Sequence, residues 1–202
     1  MSGRHQLGPA IRWRTTLLAS GGVFLALALV VKFWGVFPGE AQLYRLMAGW
    51  ASPGVVAAFW WVNQLGNKWV LGPAVLLFLW AVPLARRRWW LWVGVLVFAP
   101  IVEGLAKHLV GRLRPEGEAL GFPSGHVTAA AAVFSLAAYL GGKATGSRQI
   151  RVALWLAAAA LVLLVGIARI FLRAHWPADA LGGAALGFGC LALAAWWHER
   201  RS

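Results

Sequence analysis

Six long apolar runs decide what this chain can fold into. They occupy residues 15–37, 69–85, 89–110, 126–142, 150–171 and 176–197. A helix needs about 20 mostly apolar residues to cross the hydrocarbon of a bilayer, so each run reads as a spanning helix or close to one. Charge is too scarce for a water-soluble surface: 12% of the chain is charged, against about 25% in soluble domains. Fourteen Trp fit the aromatic belts that form where hydrocarbon meets headgroups. The expected fold is all-α and polytopic: one integral-membrane domain over 1–202 with six transmembrane helices.

The first run follows Arg4, Arg12 and Arg14 and ends in bulky Phe33, Trp34 and Phe37. It is longer than the 7–15-residue core of a cleaved signal peptide and has no small-residue site after it, so it reads as a retained span. Lys32 near its far end can snorkel. Residues 41–65 are apolar but broken by Ser52-Pro53-Gly54; the halves suit short interfacial or re-entrant helices. With six spans the termini share one side. That side receives Arg4, Arg12, Arg14, Arg86, Arg87, Arg88, Lys143, Arg148, Arg151, Arg200 and Arg201, with Glu199 as its one acid. The excess of Lys and Arg marks it as cytoplasmic. The net charge of +13 points to the bilayer and anionic headgroups, not to nucleic acid. Cys190, the single cysteine, lies in an apolar run and reads as a packing residue.

Three polar stretches then fall on the opposite, outer face. Lys107 and Arg114-Pro115 follow the third run, Pro123-Ser124-Gly125-His126 opens the fourth, and Arg169, His175 and Asp179 straddle the junction of the fifth and sixth. Ionisable groups at the edge of a membrane segment are costly unless they have a task. Lys107, Arg114 and Arg169 can hold a phosphate, and the Arg fork matches two of its oxygens. Helix starts near Pro123 and Pro177 offer free N–H groups and a positive dipole end to the same anion. Gly125 lets an oxyanion approach the backbone. His175 and Asp179 are four residues apart and can pair across one helical turn. The carboxylate would set the tautomer and leave the other ring nitrogen nucleophilic. His126 would then protonate the leaving oxygen and later deprotonate water.

These stretches resemble the signature of the type 2 phosphatidic acid phosphatase superfamily: Lys-x6-Arg-Pro, Pro-Ser-Gly-His and Ser-Arg-x5-His-x3-Asp. His175-Trp176-Pro177-Ala178-Asp179 is similar to the bacterial membrane branch. The resemblance implies a helical-bundle core and a metal-independent lipid phosphatase that needs no cofactor. It implies that Lys107, Arg114, Ser124, Gly125 and Arg169 bind phosphate and that His126, His175 and Asp179 carry catalysis. The chain departs at Ala168, where Ser is usual, and at Leu113, where many bacterial members have Pro. The short loop between Pro115 and Pro123 suggests a shallow or open entrance.

The expected function is hydrolysis of a lipid phosphate or diphosphate through a phosphohistidine at the outer face of the bacterial inner membrane. Undecaprenyl diphosphate and phosphatidylglycerophosphate or phosphatidate are the candidate substrates, with a lean to the polyprenyl diphosphate. Two rivals stand beside it: a phosphotransferase that passes the phosphoryl group to a lipid or sugar acceptor, and a non-enzymatic lipid-phosphate binder or transporter. A metal held by His126, His175 and Asp179 is a further rival, opposed by the neighbouring cations. Glu103, four residues before Lys107, pairs with that lysine or serves catalysis. Arg112 and Arg173 read as interfacial, and His5, His108 and His198 as solvated or interfacial. Gly141-Gly142 and Gly182-Gly183 read as close-packing positions. The sequence sets no oligomeric state.

Overall fold

The computed structural model describes residues 8–36 and 38–201. Arg4, His5 and Phe37 therefore lie outside the described residues. The described chain forms α1 (Pro9–Trp34), α2 (Pro38–Gly49), α3 (Pro53–Gln64), α4 (Lys68–Ala81), α5 (Pro83–Arg87), α6 (Trp89–Val110), α7 (Gly125–Ala144), α8 (Arg148–Phe171) and α9 (Pro177–Arg200). Local chemistry sets many boundaries. Ser52, Asn67 and Ser147 cap α3, α4 and α8 through side-chain oxygens, which satisfies backbone donors that a helix start leaves open. Gly111 ends α6 in the left-handed conformation, at φ 67°, where glycine has no side chain to clash.

Five helices are long and apolar enough to cross a membrane: α1, α6, α7, α8 and α9. The expected sixth span, 69–85, is corrected. Val82-Pro83 divides it into α4 and the one-turn α5. At 14 residues, α4 reaches only about 21 Å, short of the ~30 Å hydrocarbon layer. It still runs along the bundle, from Gly66 beside His126 to Phe78 beside Gly141. The break at 41–65 appears as α2 and α3, 12 residues each and too short to span. They dock on the end of α8, where Phe59 stacks on Phe171 at 4.4 Å and Met47 packs with Ile170.

α7 and α9 form the buried centre, flanked by α1, α6 and α8. They lie parallel: Gly183 meets Ser124 and Thr128, while His198 meets Tyr139. Glycine is required at this crossing. A Cβ on Gly183 would stand 2.6 Å from the Ser124 carbonyl oxygen, and one on Gly187 would overlap the Thr128 carbonyl oxygen. Small residues let two backbones approach where lipid offers no hydrophobic drive. The consequence is functional, because both helices begin at one end of the bundle.

The other end collects basic residues. Lys143 pairs with Glu199 at 2.6 Å, and Arg151 packs on Gly142. Here His198 departs from its expected solvated place. It is buried, and its Nδ1 meets the Tyr139 hydroxyl at 2.8 Å while that hydroxyl donates to Glu199. A buried imidazole needs such a partner. His108 is exposed, as expected.

Candidate active site

Four polypeptide segments meet where α7 and α9 begin. Lys107 projects from the last turn of α6 and pairs with Glu103 at 3.0 Å. The Glu103 carboxylate lies against Gly125, so close that a Cβ there would be 2.5 Å from Oε1. Past Gly111 the chain folds back on itself: Gly121 N–H donates to the Arg112 carbonyl at 2.7 Å, and Arg114 N–H to the Glu118 carbonyl at 2.7 Å. This closed loop carries Arg114, whose Nη1 donates to Glu118 at 2.8 Å.

Ser124 caps α7, and its N–H donates to the Asp179 carbonyl at 2.9 Å. That bond ties the Ser-Gly-His turn to the first turn of α9. His126 follows, pressed by Gly66 of the α3–α4 turn. Arg169 leaves the last turn of α8 and donates through Nη1 to Asn63 Oδ1 at 2.9 Å. His175 and Asp179 are buried and join through Nδ1 and Oδ2 at 3.3 Å. Asp179 also accepts from the Trp176 N–H at 3.0 Å, as an acid in a first helical turn commonly does.

The expected residues therefore converge. His126 lies within electrostatic reach of Lys107, Arg114, Arg169 and His175, and His175 within that of Arg114 and Arg169. Burial lowers the proton affinity of His175; its bond to Asp179 raises it in part, and Arg169 and Arg114 lower it again. Nδ1 is the ring nitrogen that faces Asp179, so a proton on Nδ1 would leave the lone pair on Nε2. Among the described residues five buried donors have no partner: Trp92 Nε1, Arg112 Nε, Arg114 Nε, Arg169 Nε and Ser124 Oγ. The last three come from three separate motifs.

The sequence model of the PAP2 superfamily, the type 2 phosphatidic acid phosphatases, matches residues 88–202. The chain belongs to the PAP2 superfamily. It is 35% identical over 147 residues to the decaprenylphosphoryl-5-phosphoribose phosphatase of Mycobacterium tuberculosis, covering 67% of this chain and 76% of that one. It is 26% identical over 174 residues to phosphatidylglycerophosphatase B of Bacillus subtilis, covering 81% and 85%. The fold matches the crystal structure of the transmembrane PAP2-type phosphatidylglycerolphosphate phosphatase from Bacillus subtilis, with a TM-score of 0.79 and 22% identity over 93% of this chain and 98% of that one. Aquifex aeolicus LpxE matches with a TM-score of 0.63 and 22% identity, over 78% and 95%. This PAP2 protein is an enzyme, a membrane phosphatase.

Three residues of the PAP2 site escaped the sequence reading. Arg112 is not interfacial: it is buried and donates to Asp179 Oδ1 at 2.8 Å. Glu40 binds Arg112 and accepts the Ala178 N–H at 2.7 Å. Asn63 anchors Arg169. Glu40 and Asn63 belong to α2 and α3, where no spacing links them to the motifs. The signal available was chemical: an acid and an amide in an otherwise apolar stretch. Arg173 is exposed, as expected.

Proposed function

We propose that this PAP2 enzyme removes the phosphoryl group of a lipid phosphate or diphosphate, without a metal, through a phosphohistidine on His175. The unpartnered donors of the three motifs carry this reading, with Arg114 and Arg169 in electrostatic reach of both His126 and His175. Buried donors call for acceptors, and a tetrahedral oxyanion supplies several at once. In the first half-reaction His175 Nε2 attacks phosphorus and the bond to the lipid oxygen breaks. His126 gives its proton to that oxygen. In the second, His126 takes a proton from water, the hydroxide attacks phosphorus, the N–P bond breaks and phosphate leaves. Lys107, Arg114, Arg169, Ser124 and the Gly125 backbone hold the equatorial oxygens, where charge collects. Asp179 keeps the His175 tautomer.

A lipid substrate suits the surroundings. An apolar cavity of about 770 Å³ lies between α7, α8 and α9 beneath α2, lined by Met47, Ala131, Val162, Ile170, Ala184 and Phe188 among others. Two of its wall residues, Val127 and Ile170, are the chain neighbours of His126 and Arg169. The 35% relationship to a phosphatase named for a decaprenyl lipid favours a polyprenyl-borne phosphate over a glycerophospholipid. Purified protein given polyprenyl phosphates and diphosphates beside phosphatidylglycerophosphate and phosphatidate, all in excess chelator, should release phosphate fastest from the polyprenyl set. Equal or faster release from glycerophospholipids would reverse the preference, and strict dependence on added divalent ion would overturn the metal-free mechanism.

We further propose that residues 1–202 act as one domain in the bacterial plasma membrane, with cytoplasmic termini and the site outside. The support is the gathering of basic residues at the bundle end remote from His175, by the positive-inside tendency; both chain ends lie there, with Trp13 of α1 against Tyr139 and Glu199 of α9 on Lys143, because α4, although short, carries the chain along the bundle. Glu116 is exposed in the loop beside the site. A Glu116→Cys protein, with Cys190 buried in the core, should react with an impermeant thiol reagent in intact cells. Labelling only after lysis would invert the orientation.

A further inference from the structure

Behind Asp179 lies a chain of buried charge that the hydrolytic scheme does not use. Arg112, Glu40 and Asp179 are 5%, 3% and 0% exposed. Arg112 Nη1 donates to Asp179 Oδ1 at 2.8 Å and to Glu40 Oε1 at 3.2 Å. Its Nη2 donates to Glu40 Oε2 and to the Gly35 carbonyl at 3.0 Å. Glu40 Oε1 also takes the Ala178 N–H, at the start of α9. The Arg112 guanidinium lies 5.8 Å from the Trp176 ring centroid, and the Trp176 indole N–H donates to the Leu113 carbonyl at 3.1 Å. The two Nη groups of Arg112 are divided between two acids and a carbonyl, and its Nε has no partner.

Burying three ions is expensive, and an apolar replacement often serves stability as well or better. Their chemistry suggests another use. Without Arg112, Asp179 Oδ1 would lose its 2.8 Å partner and two buried carboxylates would face each other, so the carboxylate whose Oδ2 meets His175 Nδ1 would lose its fixed position. Resting on the phosphohistidine reading, we propose that Arg112 and Glu40 are positioning residues: Arg112 fixes the Asp179 carboxylate toward His175, and Glu40 holds Arg112 in place. The relay runs Glu40–Arg112–Asp179–His175 and ties α2 and the α6–α7 loop to the nucleophile.

The test uses full-length protein in detergent with dioctanoyl phosphatidate as substrate and vanadate as a probe of the cradle. Arg112→Met should lower kcat on the order of 100-fold while KM and the vanadate inhibition constant stay within about threefold. Rapid quench into alkaline detergent, in which the N–P bond of phosphohistidine survives, should show labelled phosphoenzyme forming more slowly by the same factor. Arg112→Lys, which keeps charge but not the fork, should recover about a tenth of wild-type kcat. A folded Arg112→Met protein with near wild-type kcat would overturn the proposal. So would a loss matched by weaker vanadate inhibition, which would place Arg112 in the cradle. Should Arg112→Met not fold, the isosteric Glu40→Gln decides: a kcat loss of about tenfold at constant KM supports the relay, and unchanged kcat overturns it. Wild-type protein that turns over without any phosphoenzyme would overturn the phosphohistidine reading itself. A wild-type phosphoenzyme that Arg112→Met forms equally fast would remove only the relay.

Discussion

His175→Ala is expected to reduce turnover by at least about 10⁴-fold and to abolish the phosphoenzyme, while vanadate still binds. The imidazole is buried and tethered by Asp179, and none of Lys107, Arg114 or Arg169 supplies a nucleophile. The cradle is carried by other elements and survives the truncation, so binding and chemistry should separate. Turnover within tenfold of wild type would exclude His175 as the attacking group. The same residue sets an acid limit. The attacking ring must be neutral, and burial with Arg169 and Arg114 lowers its proton affinity. A lowered value means that the neutral form persists to more acidic pH. The acid limb that His175 contributes to kcat/KM should therefore fall below pH of about 6.5, the ordinary imidazole value. A limb above that value would contradict the buried geometry.

His126→Ala should cost about 10²–10⁴-fold on lipid alkyl phosphates, the usual worth of a positioned acid or base. The loss should depend on the leaving group. An alkoxide departs poorly without a proton, whereas p-nitrophenolate needs none. With p-nitrophenyl phosphate the first half-reaction should be nearly unimpaired. Hydrolysis of the intermediate should still be slow, because His126 also deprotonates the attacking water. The variant should therefore accumulate phosphohistidine with the nitrophenyl substrate and show a burst of nitrophenolate equal to the enzyme present. Losses that are equal for both substrates, with no burst, would remove His126 from the proton-transfer role. Its placement in the first turn of α7, pressed by Gly66 and facing Arg169 and His175, is what the prediction rests on.

Much of this arrangement was legible because the relevant physics is local. An apolar run of about 20 residues has few options in lipid other than a helix, so α1, α6, α7, α8 and α9 could be placed within a few residues. Short loops then forced the three motifs to one end of the bundle. The four-residue spacing of His175 and Asp179 made their pairing a property of the α-helix itself. The division of 69–85 was harder to see, since Val82-Pro83 breaks a run whose hydropathy alone continues. His198 lies outside the three motifs and read as solvated or interfacial; the bond to Tyr139, on another helix, and its burial are tertiary facts that no spacing announces.

Apolar run length, loop charge and motif spacing by themselves determined a multi-helix membrane protein with its motif cations and imidazoles at one depth. Those features act over one helical turn or one bilayer thickness, distances that sequence separation encodes. Only the tertiary structure decided which partners stand behind them: Asn63 on Arg169, Glu103 against Gly125, and Glu40 with Arg112 behind Asp179. Glu40 is 72 residues from Arg112 and 138 from Ala178. Such pairs are joined by how α2 settles on α9 and how Gly183 and Gly187 let α9 close on α7, and the energy of that packing belongs to no single segment.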